Sequence, residues 1–160
     1  MAALWDPGTG PAQVKAMEVP ARSLEVQLQV LEVRKSDEIA DVFEVIKRER
    51  AGAVNVLASP LLHRYRKRII DPAAKTRLPA IYQWSESVED GGLMAYGPIL
   101  LELHRRLATY IDKILKGAKP AELPFEQPTK FEFIINLKAA KQIGLTIPPN
   151  VLARADKVIK

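Results

Sequence analysis

The sequence contains no cysteine, two histidines and only 6% aromatic residues. Without cysteine there is no disulfide framework, no thiolate nucleophile and no thiolate metal site. That suits an oxidising and a reducing compartment alike. No apolar run approaches the roughly 20 residues that span a bilayer. The opening MAALWDPGTG has no basic stretch followed by an apolar core, so no export signal is visible from Met1. Also missing are the nucleophile pattern GxSxG, the zinc pattern HExxH and the phosphate loop GxxxxGK followed by Ser or Thr. Gly8-Thr9-Gly10 lacks the third glycine of a dinucleotide loop, and the prolines around it remove backbone donors. It reads as a turn.

The remaining polar residues do not assemble a reaction centre. His63 and His104 each sit beside arginines on a helical pattern, with no serine or carboxylate at catalytic or metal spacing. They read as structural. Glu86, Glu89 and Asp90 lie in a polar stretch without a partner acid and read as solvated charges. No catalytic residue, metal or cofactor is expected, and the chain is read as a non-enzyme.

What is present describes an ordinary globular domain. The chain has 160 residues, 48% hydrophobic and 27% charged, with a formal net charge of +5. That length suffices for one hydrophobic core. The basic run Arg64-Tyr65-Arg66-Lys67-Arg68 has two readings. It can contact phosphates, or it can be the solvated face of a helix whose apolar side is Leu61, Leu62, Tyr65 and Ile69. One such helix is a small footprint for nucleic acid, so no nucleic-acid partner is expected.

The hydrophobic pattern alternates between strand and helix. Ala3-Leu4-Trp5 is a short apolar strand that meets the turn formers Asp6 to Pro11. A helix beginning near Pro11 carries Val14, Met17, Ala21 and Leu24, and Pro20 should kink or shorten it. Val26 to Val33 alternates as a strand. Ser36 then caps a helix bearing Ile39, Val42, Phe43 and Ile46, which ends near Gly52. Ala53 to Ser59 reads as a buried strand, Pro60 opens a third helix, and Leu78 to Tyr82 reads as a fourth strand. Gln83 to Gly92 reads as a polar loop. A strand over Leu93 to Tyr96 leads into a long amphipathic helix to Lys116, with Gly117 as its stop. Pro120 to Pro128 reads as an extended crossing, Thr129 to Asn136 as a strand, and Leu137 to Ile143 as a short helix. The tail adds a helical turn or two. This succession predicts an α/β fold, a Rossmann-like parallel sheet with helices on both faces.

In such a sheet, ligands sit beyond the carboxyl ends of the strands. That rim carries Trp5-Asp6, Arg34 to Ser36, Ser59-Pro60 and Tyr82 to Ser85 with Trp84 among them. Aromatic walls with a few polar anchors suit a small ligand. The alternative is that Trp5 and Trp84 pack beneath loops.

The segments GGLMAYGP, DKILKGAKPAELP and QPTKFEFIINLKAAKQIGLTIPP, with ALWDP and VLASPLLHRYRKRI, closely resemble the substrate-binding proteins of ABC transporters, in the tryptophan/tyrosine-uptake-like group. The resemblance covers essentially the whole chain but only the carboxyl-terminal half of such a protein. It implies the second lobe of a type I periplasmic binding fold. Residues 1–92 and 121–160 would form that lobe. Residues 93–120 would be a strand–helix segment packed on the first lobe.

The resemblance further implies a solute-binding component of an uptake system, with an amino-acid-like solute and an ABC permease as partners. It places Trp5, Asp6, Ser59, Pro60, Tyr82, Trp84, Ser85, Tyr96 and Gly97 toward the ligand. The family commonly has Asn where Asp6 stands and often Asp where Ser59 stands. Pro20, and Glu25 where a glycine often ends the first helix, are further departures. Localisation is periplasmic by family, and cytoplasmic if Met1 is the true start. Without a facing lobe, the 99–116 helix would expose an apolar face, so a homodimer through it is expected. Two other readings stand beside this one: a dimeric interaction module derived from the same fold, and a basic nucleic-acid-binding domain.

Overall fold

A computed structural model describes all residues, 1–160. Seven strands form one sheet in the order β2-β1-β3-β4-β5-β6-β7. They are β1 (Ala2–Trp5), β2 (Gln29–Glu32), β3 (Val54–Val56), β4 (Ala80–Tyr82), β5 (Met94–Pro98), β6 (Phe131–Asn136) and β7 (Lys157–Ile159). The pairs from β2 through β5 are parallel, β5 and β6 are antiparallel, and β6 and β7 are parallel. The helices are α1 (Ala12–Ser23), α2 (Glu38–Arg48), α3 (Pro60–Arg64), α4 (Arg66–Lys75), α5 (Ser85–Glu89), α6 (Leu100–Leu115), α7 (Leu137–Gln142) and α8 (Pro149–Leu152). The expected α/β architecture with helices on both faces is what forms.

The strand pleat divides the core in two. Ala2, Leu4, Val54, Val56, Ala80, Tyr82, Ala95 and Ile134 face α2, α4 and α5, and pack on Ile39, Phe43, Ile46, Ile69, Ile70 and Val88. On the opposite face Leu93 and Ile135 pack on Ala139 and Ala140 of α7 and on Ile147. There α1 also lies against the sheet, with the Asn55 amide donating to the Met17 sulfur at 3.8 Å. Leu4, Ile69, Val33 and Val88 are fully buried. Each contributes roughly 1.5–3 kcal/mol by leaving water.

Six helix ends close with the same backbone arrangement, an N–H bonding five residues back. The bonds are Val26 to Ala21, Ala51 to Ile46, Leu78 to Ala73, Gly92 to Ser87, Ala118 to Lys113 and Leu145 to Ala140. The residue before each donor must adopt positive φ. Gly91, Gly117 and Gly144 do so freely, but α1, α2 and α4 use Glu25, Arg50 and Arg77 at φ 54°, 53° and 55°. Side chains there are strained by about 1–2 kcal/mol each.

The structure corrects several expectations. The strand at 94–98 does not leave with the helix that follows it: β5 is hydrogen-bonded between β4 and β6. The sheet therefore spans residues on both sides of the expected boundary at 93, and the segment that stands off begins at Ile99. Pro20 does not shorten α1, which runs on to Ser23. It removes one bond to the carbonyl of Ala16, and both residues are exposed, so water replaces the missing donor. The third helix divides at Tyr65 into α3 and α4. Residues 83–92 are not all loop, since α5 occupies Ser85–Glu89. The tail supplies one helical turn and then β7. Ser36 does not cap α2: the Glu38 carboxylate instead accepts from the Arg34 N–H at 2.7 Å.

Candidate ligand-binding rim

Two groups of side chains crown the carboxyl ends of the parallel strands. The first joins β1 to β3. Asp6 follows β1, and its carboxylate accepts from the Gly8 N–H at 2.9 Å, closing the turn over Pro7–Thr9. The other carboxylate oxygen accepts from the Ser59 hydroxyl at 2.6 Å. Ser59 is buried and caps α3, its oxygen accepting from the N–H groups of Leu61 at 3.0 Å and Leu62 at 3.3 Å. Pro60 takes the first helical position, where a missing N–H is harmless. The Gln13 side chain holds the adjoining loop through both backbone polar groups of Ala58. It donates to the Ala58 carbonyl and accepts from the Ala58 N–H, both at 2.8 Å. Trp5 is half-buried, and its indole N–H donates to the Gly10 carbonyl at 3.1 Å.

The second group joins α3 to the β4–α5 turn. His63 and Trp84 meet edge to face with ring centroids 4.7 Å apart. Burial holds the imidazole below its ordinary pKa, and the Arg66 guanidinium adds to this, while Glu86 and Asp90 oppose it. His63 is therefore neutral at neutral pH. Ser85 opens α5 beside this pair. Buried polar atoms without a protein partner gather here: His63 Nδ1, Gln83 Oε1 and Glu86 Oε2.

The remaining expected site residues divide. Tyr96 is 58% exposed and stacks on Phe131 at 5.9 Å. Gly97 is buried, and a side chain there would overlap the Gln83 carbonyl oxygen, so only glycine lets β5 approach β4 at the rim. Tyr82 leaves the ligand-facing set. It is 3% exposed and lies in the core among the residues on the α4 face. Burial, reinforced by the charge of Asp71, pushes its phenol far above the ordinary range. The strand pleat accounts for this, since Tyr82 is the last residue of β4 and points into the sheet's interior face rather than past its end. Gln13 and Phe131 are not among the expected site residues. A lone glutamine on an amphipathic helix carries no pattern, and Phe131 lies within the strand expected over Thr129 to Asn136.

The rim is open. The hollow beneath Trp84, between His63, Gln83 and Ser87, holds about 10 Å³, far below the roughly 300 Å³ of a ligand pocket. A hollow of about 600 Å³ lies elsewhere, between α6 and residues 126–130. Its charges already pair with one another, Arg106 with Glu126 and Lys130 with Glu102. It is the space under a helix that stands off from the sheet. No residue of α6 is buried, and Leu101, Leu107, Ile111 and Ile114 expose between 40% and 58% of their surface.

The family of ABC transporter substrate binding proteins matches residues 3–159. The chain belongs to that family. Its members are binding proteins rather than catalysts. The fold is shared with solved structures. One is an ABC domain in complex with L-Trp from Streptococcus pneumonia, 26% identical with a TM-score of 0.90, in which the match covers 99% of this chain and 54% of that one. A conserved domain protein from Vibrio cholerae is 23% identical with a TM-score of 0.91, over 98% of this chain and 53% of the other. The ligand-free, open form of a substrate-binding protein with adhesive properties from Clostridium difficile is 19% identical with a TM-score of 0.69, over 99% and 54%. The chain thus spans about half the length of these proteins. No curated protein matches it. No helix is long and apolar enough to cross a membrane.

Proposed function

We propose that this chain supplies one wall of a solute-binding cleft in an ABC-type uptake system, and that the solute is an amino acid or a compound like one. The observation that carries the reading is the Asp6–Ser59 pair at the carboxyl ends of β1 and β3, flanked by Trp5 on one side and by Trp84 with His63 on the other. Asp6 offers a fixed anion to an ammonium group. The indole and imidazole faces offer apolar contact. The L-Trp complex of the Streptococcus pneumonia domain supports the choice of ligand class. The resemblance commonly puts Asn at the first of these positions and often Asp at the second, so here the acid stands at the first position rather than the second. The arrangement of acid and donor survives, while the ligand it prefers is reset. Pro60, Ser85, Tyr96 and Gly97 complete the proposed wall, with Tyr96 and Phe131 as a second aromatic surface. By family the working place is the periplasm or cell exterior, and the membrane partner is a permease.

A thermal-shift screen of the proteinogenic amino acids tests this reading. One or more aromatic or branched amino acids should raise the melting temperature at millimolar concentration, and Asp6→Ala should abolish the rise. No stabilisation by any of them refutes it.

A second reading rests on α6. A face carrying Leu103, Leu107, Ile111 and Ile114 needs an apolar cover, and residues 119–130 cross only its edge through Arg106–Glu126 and the Tyr110 hydroxyl on the Pro124 carbonyl at 2.6 Å. In proteins about twice as long, the rest of the chain is there to cover it. In a polypeptide of these 160 residues, a second copy is the cover we propose. Light scattering should give twice the monomer mass at micromolar concentration, and Leu107→Asp with Ile111→Asp should return it to monomer. A monomer before mutation contradicts the dimer and leaves the ligand reading intact.

A further inference from the structure

Near the rim, the junction of α3 and α4 carries a second, predominantly cationic feature. Arg64, Arg66, Lys67 and Arg68 line a surface hollow of about 310 Å³ together with Tyr65 and a single carboxylate, Asp90. That carboxylate is already engaged, by Arg66 at 2.7 Å and Lys67 at 3.5 Å. Arg64 and Arg68 have no acidic partner. Both guanidinium groups lie over the Tyr65 ring, 5.8 and 5.5 Å from its centre, within cation–π range. Arg68 also reaches the Ser36 hydroxyl at 3.5 Å, linking the cluster to the β2–α2 loop, where Lys35 is exposed and unpaired.

We infer that this cluster is a docking surface for the phosphate headgroups of an anionic membrane. Planar guanidinium groups match phosphate oxygens in pairs. The one aromatic among them is a tyrosine, which suits the boundary between headgroups and water. Three features of the patch decide between partners. It has no aliphatic centre, which a stable protein–protein contact would need. It is one compact cluster rather than a groove that tracks a nucleic-acid backbone. The Lys67 side chain is 71% exposed, so a single free anion would be held weakly, whereas a surface of many headgroups engages all the cations together. The short helix α3 begins just after the carboxyl end of β3, so the cluster lies one short helix away from the ligand rim.

Co-sedimentation of the 160-residue chain with lipid vesicles tests the inference. Vesicles containing phosphatidylglycerol should bind it at low salt, vesicles of phosphatidylcholine alone should not, and high salt should release it. The triple variant Arg64→Ala, Lys67→Ala, Arg68→Ala, folded by circular dichroism, should partition about a hundredfold less, given a contribution of ~1 kcal/mol per basic residue near such a surface. Lys138→Ala with Lys141→Ala, on the exposed side of α7, should bind as the parent does. Equal binding to neutral vesicles would overturn the inference. So would an unchanged triple variant, an equal loss in the α7 variant, release by inorganic phosphate at low ionic strength, or preferential binding of single-stranded DNA.

Discussion

Replacing Ser59 by alanine removes two interactions with one oxygen atom, and the structure allows the loss to be sized. The hydroxyl donates to the Asp6 carboxylate at 2.6 Å, a charge-assisted bond of about 1.5–3 kcal/mol. The same oxygen caps α3 through the Leu61 and Leu62 N–H groups, for about 1 kcal/mol. Burial of Ser59 keeps water from substituting for either. Ser59→Ala should therefore destabilise the lobe by about 3 kcal/mol. For a domain of this size that lowers the melting temperature by roughly 6–12 °C. Asp6→Asn keeps an acceptor for the hydroxyl and should cost about 1 kcal/mol. Urea denaturation of Ser59→Ala, of Asp6→Ala and of the double variant carrying both closes a cycle, which should show a coupling of about 1–2 kcal/mol. A Ser59→Ala protein melting within about 2 °C of the parent would refute the reasoning, as would strict additivity in the cycle. Either result would mean that the pair does not fix the rim.

Three further outcomes follow from particular positions. Gly97→Ala should lower the urea midpoint by the equivalent of about 1–3 kcal/mol, because the added carbon meets the Gln83 backbone rather than a movable side chain; an unchanged midpoint contradicts the close approach of β4 and β5. Glu25→Gly should raise stability by about 1 kcal/mol in thermal melts by relieving a φ of 54° at the end of α1, and a loss of stability would contradict that strain. His63 has a folded pKa held below its ordinary 6.5, so the unfolded chain takes up its proton first as pH falls. The stability it supports is complete above pH 6.5 and declines below it; His63→Gln should flatten the denaturation midpoint across that acidic window, and an identical slope in both proteins would show that His63 is not the group responsible.

The fold was legible because its signals are periodic and local. Ile39, Val42, Phe43 and Ile46 mark α2 at helical spacing, and the paired requirement for Gly117 after α6 marks its end. What escaped depends on contacts distant in sequence. The tail strand β7 is three residues long and is held by pairing with β6, not by its own composition. Assigning β5 to the standing-off segment failed because a strand's partners are invisible along the chain. At the rim, residue types pointed to Trp5, Asp6, Ser59 and Trp84, but the direction of a side chain at a strand end is set by the pleat. That sends Tyr82 into the core. Gln13 reaches Ala58 across 45 positions, and no spacing rule announces such a pair.

The account stands on the rim as a solute surface. The most direct measurement is a nitrogen–proton NMR titration of the chain with L-tryptophan, which detects the weak binding expected of an open wall. The account predicts progressive shifts at the Trp5 and Trp84 indole N–H signals and at the amides of Asp6, Ala58, Ser59 and Ser85, with α7 and α8 unmoved. Spectra that stay unchanged to millimolar ligand, or shifts confined to residues away from the carboxyl ends of β1, β3 and β4, would contradict it.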